Sequence, residues 1–149
     1  MELPASAVRD QTRAGLLHDI GKLAISNRIL DKPGPLTDEE FAKVKQHPRL
    51  TYEVLTRVAP FRSIAEAAAS HHEKLDGSDY HRGVSAEDPN LPSRILAVAD
   101  VFDALSQDRP YRPAMPMEKV LTILKKESGQ KLSPECVEAL EDLVSKGEL

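Results

Sequence analysis

The chain has no tryptophan, only 4% aromatic residues and a single cysteine. With so few rings, Leu, Ile, Val and Ala must fill the core. Cys136 stands alone, which excludes an internal disulfide and suits a reducing, cytoplasmic compartment. It has no histidine motif near it and reads as buried filler. No apolar run approaches the ~18 residues that would suggest a membrane span. No charged-then-apolar leader opens the chain. A basic excess is missing too: 20 Lys and Arg stand against 24 Asp and Glu, a net charge of −4. No global field therefore recruits a nucleic acid polymer or a membrane surface. A small nucleotide in a locally basic pocket is not excluded.

What is present is helical periodicity. The 149 residues are read as one domain, 1–149. "AVRDQTRAGLLHDIGK" places Val8, Ala14, Leu17 and Ile20 on one stripe, with Gly21 weakening the helix near its end. Thr37 and Glu40 make a capping box, and Asp38 and Glu39 favour the N-terminal dipole. Pro48 opens a helix carrying Tyr52, Leu55 and Val58. "SIAEAAASHH" is a short Ala-rich helix ending at His71 and His72, and 73–91 is a loop. "PSRILAVADVFDALSQ" sets Ile95, Val98, Phe102 and Leu105 on one face. "MEKVLTILKKESG" stops at Gly129, and Ser133 with Pro134 starts a last helix that ends near Gly147. No segment has a strand period, so the expected class is all-α.

The polar residues that do not fit this pattern carry the chemistry. His18 and Asp19 lie near a helix end, His47 follows an amphipathic segment, and His71 and His72 are adjacent. Asp100 sits among Ala97, Val98, Ala99 and Val101, where a buried carboxylate would need a partner. Helix spacing equally allows a solvent stripe with Asp103 and Gln107, so Asp100 alone decides nothing. Consecutive helical residues diverge by about 100°. His71 and His72, like His18 and Asp19, must therefore splay toward two ions, or one of each pair must pack. A carboxylate bridges two ions where an imidazole does not, so the set suits a two-metal site. Mixed nitrogen and oxygen donors favour Fe, Mn or Zn over Ca or Mg. A lone histidine is better explained by packing. Together, these residues tip the reading to metal. Lys22 shares a face with His18 and Asp19. An ammonium there makes sense if an anionic substrate docks, although spacing alone reads it as a surface lysine.

The stretches "LLHDIGKLAI", "ILDKPGPLTDEE", "VKQHP", "SHHEKLDGSDYHRG", "PSRILAVADVFDAL" and "RPYRPAMP" resemble, in order, the HD-GYP branch of the HD phosphohydrolase superfamily. They span roughly residues 14–140. The resemblance implies an all-α, HD-type bundle of about six to seven helices, here without the family's first helices. It implies a metal-dependent phosphodiesterase that opens cyclic di-GMP, a bacterial second messenger, to pGpG or GMP. The implied ligands are His18, Asp19, His47, His71, His72 and Asp100, with Asp19 bridging two divalent transition metal ions, iron or manganese. Asp19 and Lys22 would be catalytic. Lys22, Tyr80, Arg109 and Arg112 would hold substrate. Sensor, receiver or GGDEF-type proteins are the implied partners.

Two departures qualify this. The family loop Asp-Gly-x-Gly-Tyr-Pro reads Asp76-Gly77-Ser78-Asp79-Tyr80-His81 here. Only 17 residues precede His18, none of them His, so a third ion is not expected. The retained ligands favour an enzyme. The altered loop favours a cyclic-dinucleotide sensor or protein-interaction module. A third reading is an HD phosphohydrolase of another nucleotide. His81 is expected to face solvent or the nucleotide, not metal.

Overall fold

The computed structural model describes residues 3–75, 90–108 and 112–149. The expected all-α class holds: among the described residues there are eight α-helical segments and one isolated bridge, Ser128 to Leu132. One of the eight, α2 (Asn27–Leu30), is a single turn, which leaves seven helices. The others are α1 (Ala5–Leu17), α3 (Asp38–Val44), α4 (His47–Arg57), α5 (Ala65–Ala69), α6 (Leu91–Ser106), α7 (Met117–Glu127) and α8 (Pro134–Lys146). Two 3₁₀ segments, Ile20–Ala24 and Ala59–Ile64, join them. No helix among the described residues is long and apolar enough to cross a membrane.

Among the described residues the core is aliphatic and divides into two clusters. One gathers Ala14, Leu55, Ile64, Ala65, Ala67 and Ala68 from α1, α4 and the α5 region. Its small alanine side chains let these helices approach closely. The other gathers Ala97, Val98, Val120, Leu124, Leu132, Cys136 and Val137 from α6, α7 and α8. The expected α6 face packs on this second cluster, with Ile95, Phe102 and Leu105 partly buried against it. Cys136 is buried and free, as read.

The caps follow the sequence with exceptions. Thr37 Oγ1 accepts from the Glu40 N–H at 3.2 Å, and Glu40 Oε2 accepts from the Thr37 N–H at 2.8 Å, completing the capping box. Gly147 ends α8 in the left-handed region, φ 69°, where a Cβ would be strained. Ser133 precedes α8, but its hydroxyl meets Glu135 and caps no backbone N–H. Val58 lies just past the end of α4 and is 39% exposed. The α1 stripe is used only from Ala14 onward, and Val8 is 49% exposed. The helix also ends sooner than its periodicity implies. Leu17 is its last residue, and the chain turns through His18 and Asp19 into 3₁₀ geometry. The reason lies at Gly21, whose backbone is pressed against the first turn of α4. A Cβ there would stand 2.1 Å from the His47 carbonyl oxygen. A continuous α1 could not make that crossing.

Candidate metal centre

Four short pieces of backbone deliver the ligand candidates to one place. The turn after α1 presents His18 and Asp19, the first turn of α4 presents His47, and the turn after α5 presents His71 and His72. Asp100 comes from the middle of α6. His47 Nε2 lies 3.2 Å from Asp19 Oδ1, and His71 Nε2 lies 4.0 Å from the same oxygen. His18 Nε2 is 3.5 Å from Asp19 Oδ2 and 3.6 Å from Asp100 Oδ1. The His71 and His72 rings are 4.1 Å apart between centroids, and His72 meets His47 edge-on at 5.0 Å.

One local device recurs three times. His18 Nδ1 lies 2.6 Å from the Gly15 carbonyl, His47 Nδ1 2.8 Å from that of Val44, and His71 Nδ1 2.8 Å from that of Ala68. Each partner is the carbonyl three residues back at the end of a turn. A carbonyl accepts only, so Nδ1 must be the donor. In the neutral rings of His47 and His71 this turns a bare Nε2 lone pair inward, while His18 Nε2 faces Asp19 and Asp100. Such an anchor fixes both the tautomer and the aim of a metal-ligating imidazole.

The electrostatics fit a cation at this focus. His47 Nε2 and His71 Nε2 face each other at 3.3 Å, two lone pairs with no proton between them in this tautomer. Asp19 Oδ1 is buried and has no hydrogen-bond partner. A buried carboxylate oxygen facing lone pairs is costly without a positive charge. Burial pushes the His71 imidazole down to about 3, with His72 beside it adding to the shift. Burial, then the charge of His47, pushes His72 down to about 4. Burial likewise lowers His47. These rings are neutral at physiological pH and need lose no proton to bind an ion. His18 is raised instead, chiefly by its hydrogen bond to Asp100. Burial alone would raise the two carboxylates. Burial is the largest influence on each, but Lys22 with His18 and His47 together outweigh it at Asp19, and His18 with His71 and His72 together outweigh it at Asp100, so both stay ionised.

Two donor sets emerge among the described residues: His47, His71 and His72, and His18, Asp19 and His71. In each, one donor atom per residue lies within 4.8 Å of the others. His71 belongs to both, yet one imidazole nitrogen serves one ion. The two oxygens of Asp19 face the two sets separately, Oδ1 toward His47 and His71, Oδ2 toward His18.

The remaining expected residues divide. Lys22 does share the ligand face, and its Nζ donates to Asp19 Oδ2 at 2.5 Å while its side chain stays 38% exposed. Arg112 lies at the end of α6, where its guanidinium donates to the carbonyls of Ala104 and Leu105. Tyr80, Arg109, Asp79 and His81 lie outside the described residues. A cavity of about 250 Å³ opens beside His71 and His72, walled by Ala97, Val101, Leu105, Ile123 and Leu132. Its apolar wall helps keep those two rings neutral. Spacing missed Thr51, whose buried hydroxyl bonds the backbone of the ligand-bearing turn. It also took Gly21 for a weak helical residue when its role is close packing.

The family model described as "HD domain" matches residues 1–136. The 3'3'-cGAMP-specific phosphodiesterase 3 of Vibrio cholerae serotype O1 is 50% identical over 128 residues, which are 86% of this chain and 28% of that protein. The cyclic di-GMP phosphodiesterase response regulator RpfG of Xanthomonas campestris pv. campestris is 45% identical over 141 residues, 93% of this chain and 37% of that one. Among solved structures, the cyclic GMP-AMP specific phosphodiesterase V-cGAP3 of V. cholerae superposes with a TM-score of 0.53 at 39% identity. The match covers 96% of this chain and 32% of that one. The chain thus spans about a third of the length of the relatives it matches.

Proposed function

The chain belongs to the HD-domain family, and from that premise we propose that it is a metal-dependent phosphodiesterase of a cyclic dinucleotide. One observation carries the reading. Two anchored imidazoles, His47 and His71, turn bare Nε2 atoms toward the Asp19 carboxylate, whose Oδ1 is buried and unbonded, and His18, anchored in the same way, sets its Nε2 between Asp19 and Asp100. His47, His71 and His72 would hold one ion. His18, Asp100 and the second oxygen of Asp19 would hold the other, with Asp19 as the bridge. The mixed nitrogen and oxygen donors suit iron or manganese. Bound there, such ions polarise a phosphodiester oxygen and bring the pKa of a water toward neutrality.

The chain's own groups do the rest. The three neutral imidazoles His47, His71 and His72 and the two ionised carboxylates need lose no proton at physiological pH, whereas His18 gives up the proton it shares with Asp100 on ligating an ion. Lys22 sits beside Asp19 Oδ2 with its ammonium still partly exposed, so it can turn to a phosphate oxygen and offset the charge that develops there. Cyclic di-GMP is the substrate that the sequence motifs support. The half-identical V. cholerae relative supports 3'3'-cGAMP as the second candidate. A linear dinucleotide is the expected first product. Tyr80, Arg109 and Arg112 belong to the proposal as phosphate or base contacts. For Arg112 this requires it to leave at least part of its hold on α6. A sensor, receiver or GGDEF-type partner supplying the input belongs to it too, as does a cytoplasmic setting, supported by the unpaired Cys136.

The test is turnover of both cyclic dinucleotides by purified protein loaded anaerobically with Fe²⁺, or with Mn²⁺. Conversion to a linear dinucleotide, lost in His47→Ala and Asp100→Ala, is the expected result. Metal-loaded protein that leaves both substrates intact would sink the reading.

A further inference from the structure

Thr51 matches no ligand role, yet it is fully buried at the heart of the ligand framework. Its hydroxyl donates to the His18 carbonyl at 2.9 Å and accepts from the Gly21 N–H at 3.0 Å. Those two groups bracket the turn that carries His18 and Asp19. Thr51 also lies four residues after His47, one turn along the same face of α4. A single turn of helix therefore presents one ligand and grips both ends of the turn that carries two others. Gly21 sets how close the pieces come, because its Cα hydrogen faces the His47 carbonyl where a Cβ would be 2.1 Å away. The two hydrogen bonds of Thr51 set the rotation of the turn about that contact. The outcome is the 3.2 Å approach of Asp19 Oδ1 to His47 Nε2.

We infer that Thr51 is a positioning residue: its hydroxyl holds the His18–Asp19 turn in register with α4 and so sets the affinity of the centre for its ions. The inference rests on the metal-centre reading above. The competing role is that of a satisfied buried hydroxyl that adds stability alone. Metal affinity separates the two when measured where every variant is folded. A purely structural role changes the folded fraction and leaves the affinity of the folded protein unmoved.

The experiment titrates metal-free full chain with Mn²⁺ by calorimetry, below the onset of unfolding for each variant. Thr51→Val keeps the shape and removes both hydrogen bonds, whereas Thr51→Ser keeps the hydroxyl. Thr51→Ala is run beside them, so a valine variant that fails to fold does not end the test. Val137→Ala, in the other core cluster, controls for general loss of stability. The expected result is a Kd raised about tenfold or more in the Val and Ala variants, and moved less than about threefold in the Ser and Val137→Ala variants. Val and Ala variants that lower the melting temperature but bind Mn²⁺ as the parent does would overturn the inference. So would a Ser variant as impaired as Val, since packing and not the hydroxyl would then be responsible. Parent protein that binds neither Mn²⁺ nor Fe²⁺ is a different failure, that of the metal centre itself.

Discussion

Asp19 answers to four partners at once, and that is what makes it diagnostic. One oxygen faces His47 and His71, while the other meets Lys22 and lies beside His18. If the carboxylate bridges two ions, Asp19→Ala should drain both, and elemental analysis of the purified variant should find less than one ion where the parent holds two. Unchanged metal content would show that Asp19 is no bridge. Lys22 makes the opposite prediction. Its ammonium sits on an oxygen that an ion also needs, so it opposes metal by repulsion and by occupancy. Lys22→Ala should therefore bind metal at least as tightly as the parent. Its turnover should fall by about 10²–10³, the usual consequence of removing a charge-stabilising donor. Its folding stability should barely move, because the lost ion pair is more than a third exposed. A variant with lowered stability and normal turnover would make Lys22 structural.

At the scale of elements, local and long-range roles part company. The Thr37–Glu40 box is complete and lies on α3, which supplies no ligand. Thr37→Ala should lower stability by about 1 kcal/mol in denaturant unfolding and leave metal affinity unchanged. Gly21→Ala adds only a single methyl, but the added Cβ would sit 2.1 Å from a backbone carbonyl that cannot swing aside. It should cost both folding stability and metal content, and a variant indistinguishable from the parent in either would contradict the packed crossing. The contrast explains what was legible in the sequence. The capping box needs four consecutive residues, and the α6 stripe needs one helix, so both could be read from spacing. The paired histidines stood out because their chemistry is out of place in an aliphatic helix. Thr51 had no such mark: an ordinary threonine in an amphipathic helix, it acquires its role through contacts 30 and 33 residues away. The early end of α1 was hidden for the same reason, since the cause lies on α4. Arg112 shows the reverse limit. Its motif suggested phosphate, while its reach to the Ala104 and Leu105 carbonyls depends on where the chain folds back.

Among the described residues the molecule is built on two aliphatic clusters, with the candidate centre set across them. His18, Asp19, His47, His71 and His72 ride on the helices of the first cluster, and Asp100 rides on α6 of the second. Ions held by both halves should stabilise the fold by linkage, about 2.7 kcal/mol at a free concentration one hundred times Kd. Without ions, the protein should show how much strain the empty ligand set carries as pH falls. His71 and His72 are held near 3 and 4, below the ordinary value of 6.5. Between those limits the unfolded chain binds protons that the native state refuses, so native stability is full above pH 6.5 and declines below it. At pH 5 each of the two imidazoles should cost at most about 2 kcal/mol relative to pH 7.5. His47, lowered in the same direction, adds to the loss. His18 runs the other way: its raised pKa favours the native state as pH falls toward 6.5, and that gain is complete before the decline below 6.5 sets in. Asp19 and Asp100 lie below the usual carboxylate range and withdraw their contribution only at still lower pH. Urea unfolding of chelator-treated protein at pH 7.5, 6.5, 5.5 and 5.0 should thus show a stability that falls from pH 6.5 to 5.0. A flat or rising profile below pH 6.5 would mean that His71 and His72 take up protons freely in the native state, and that the inward lone pairs of the metal centre are not there.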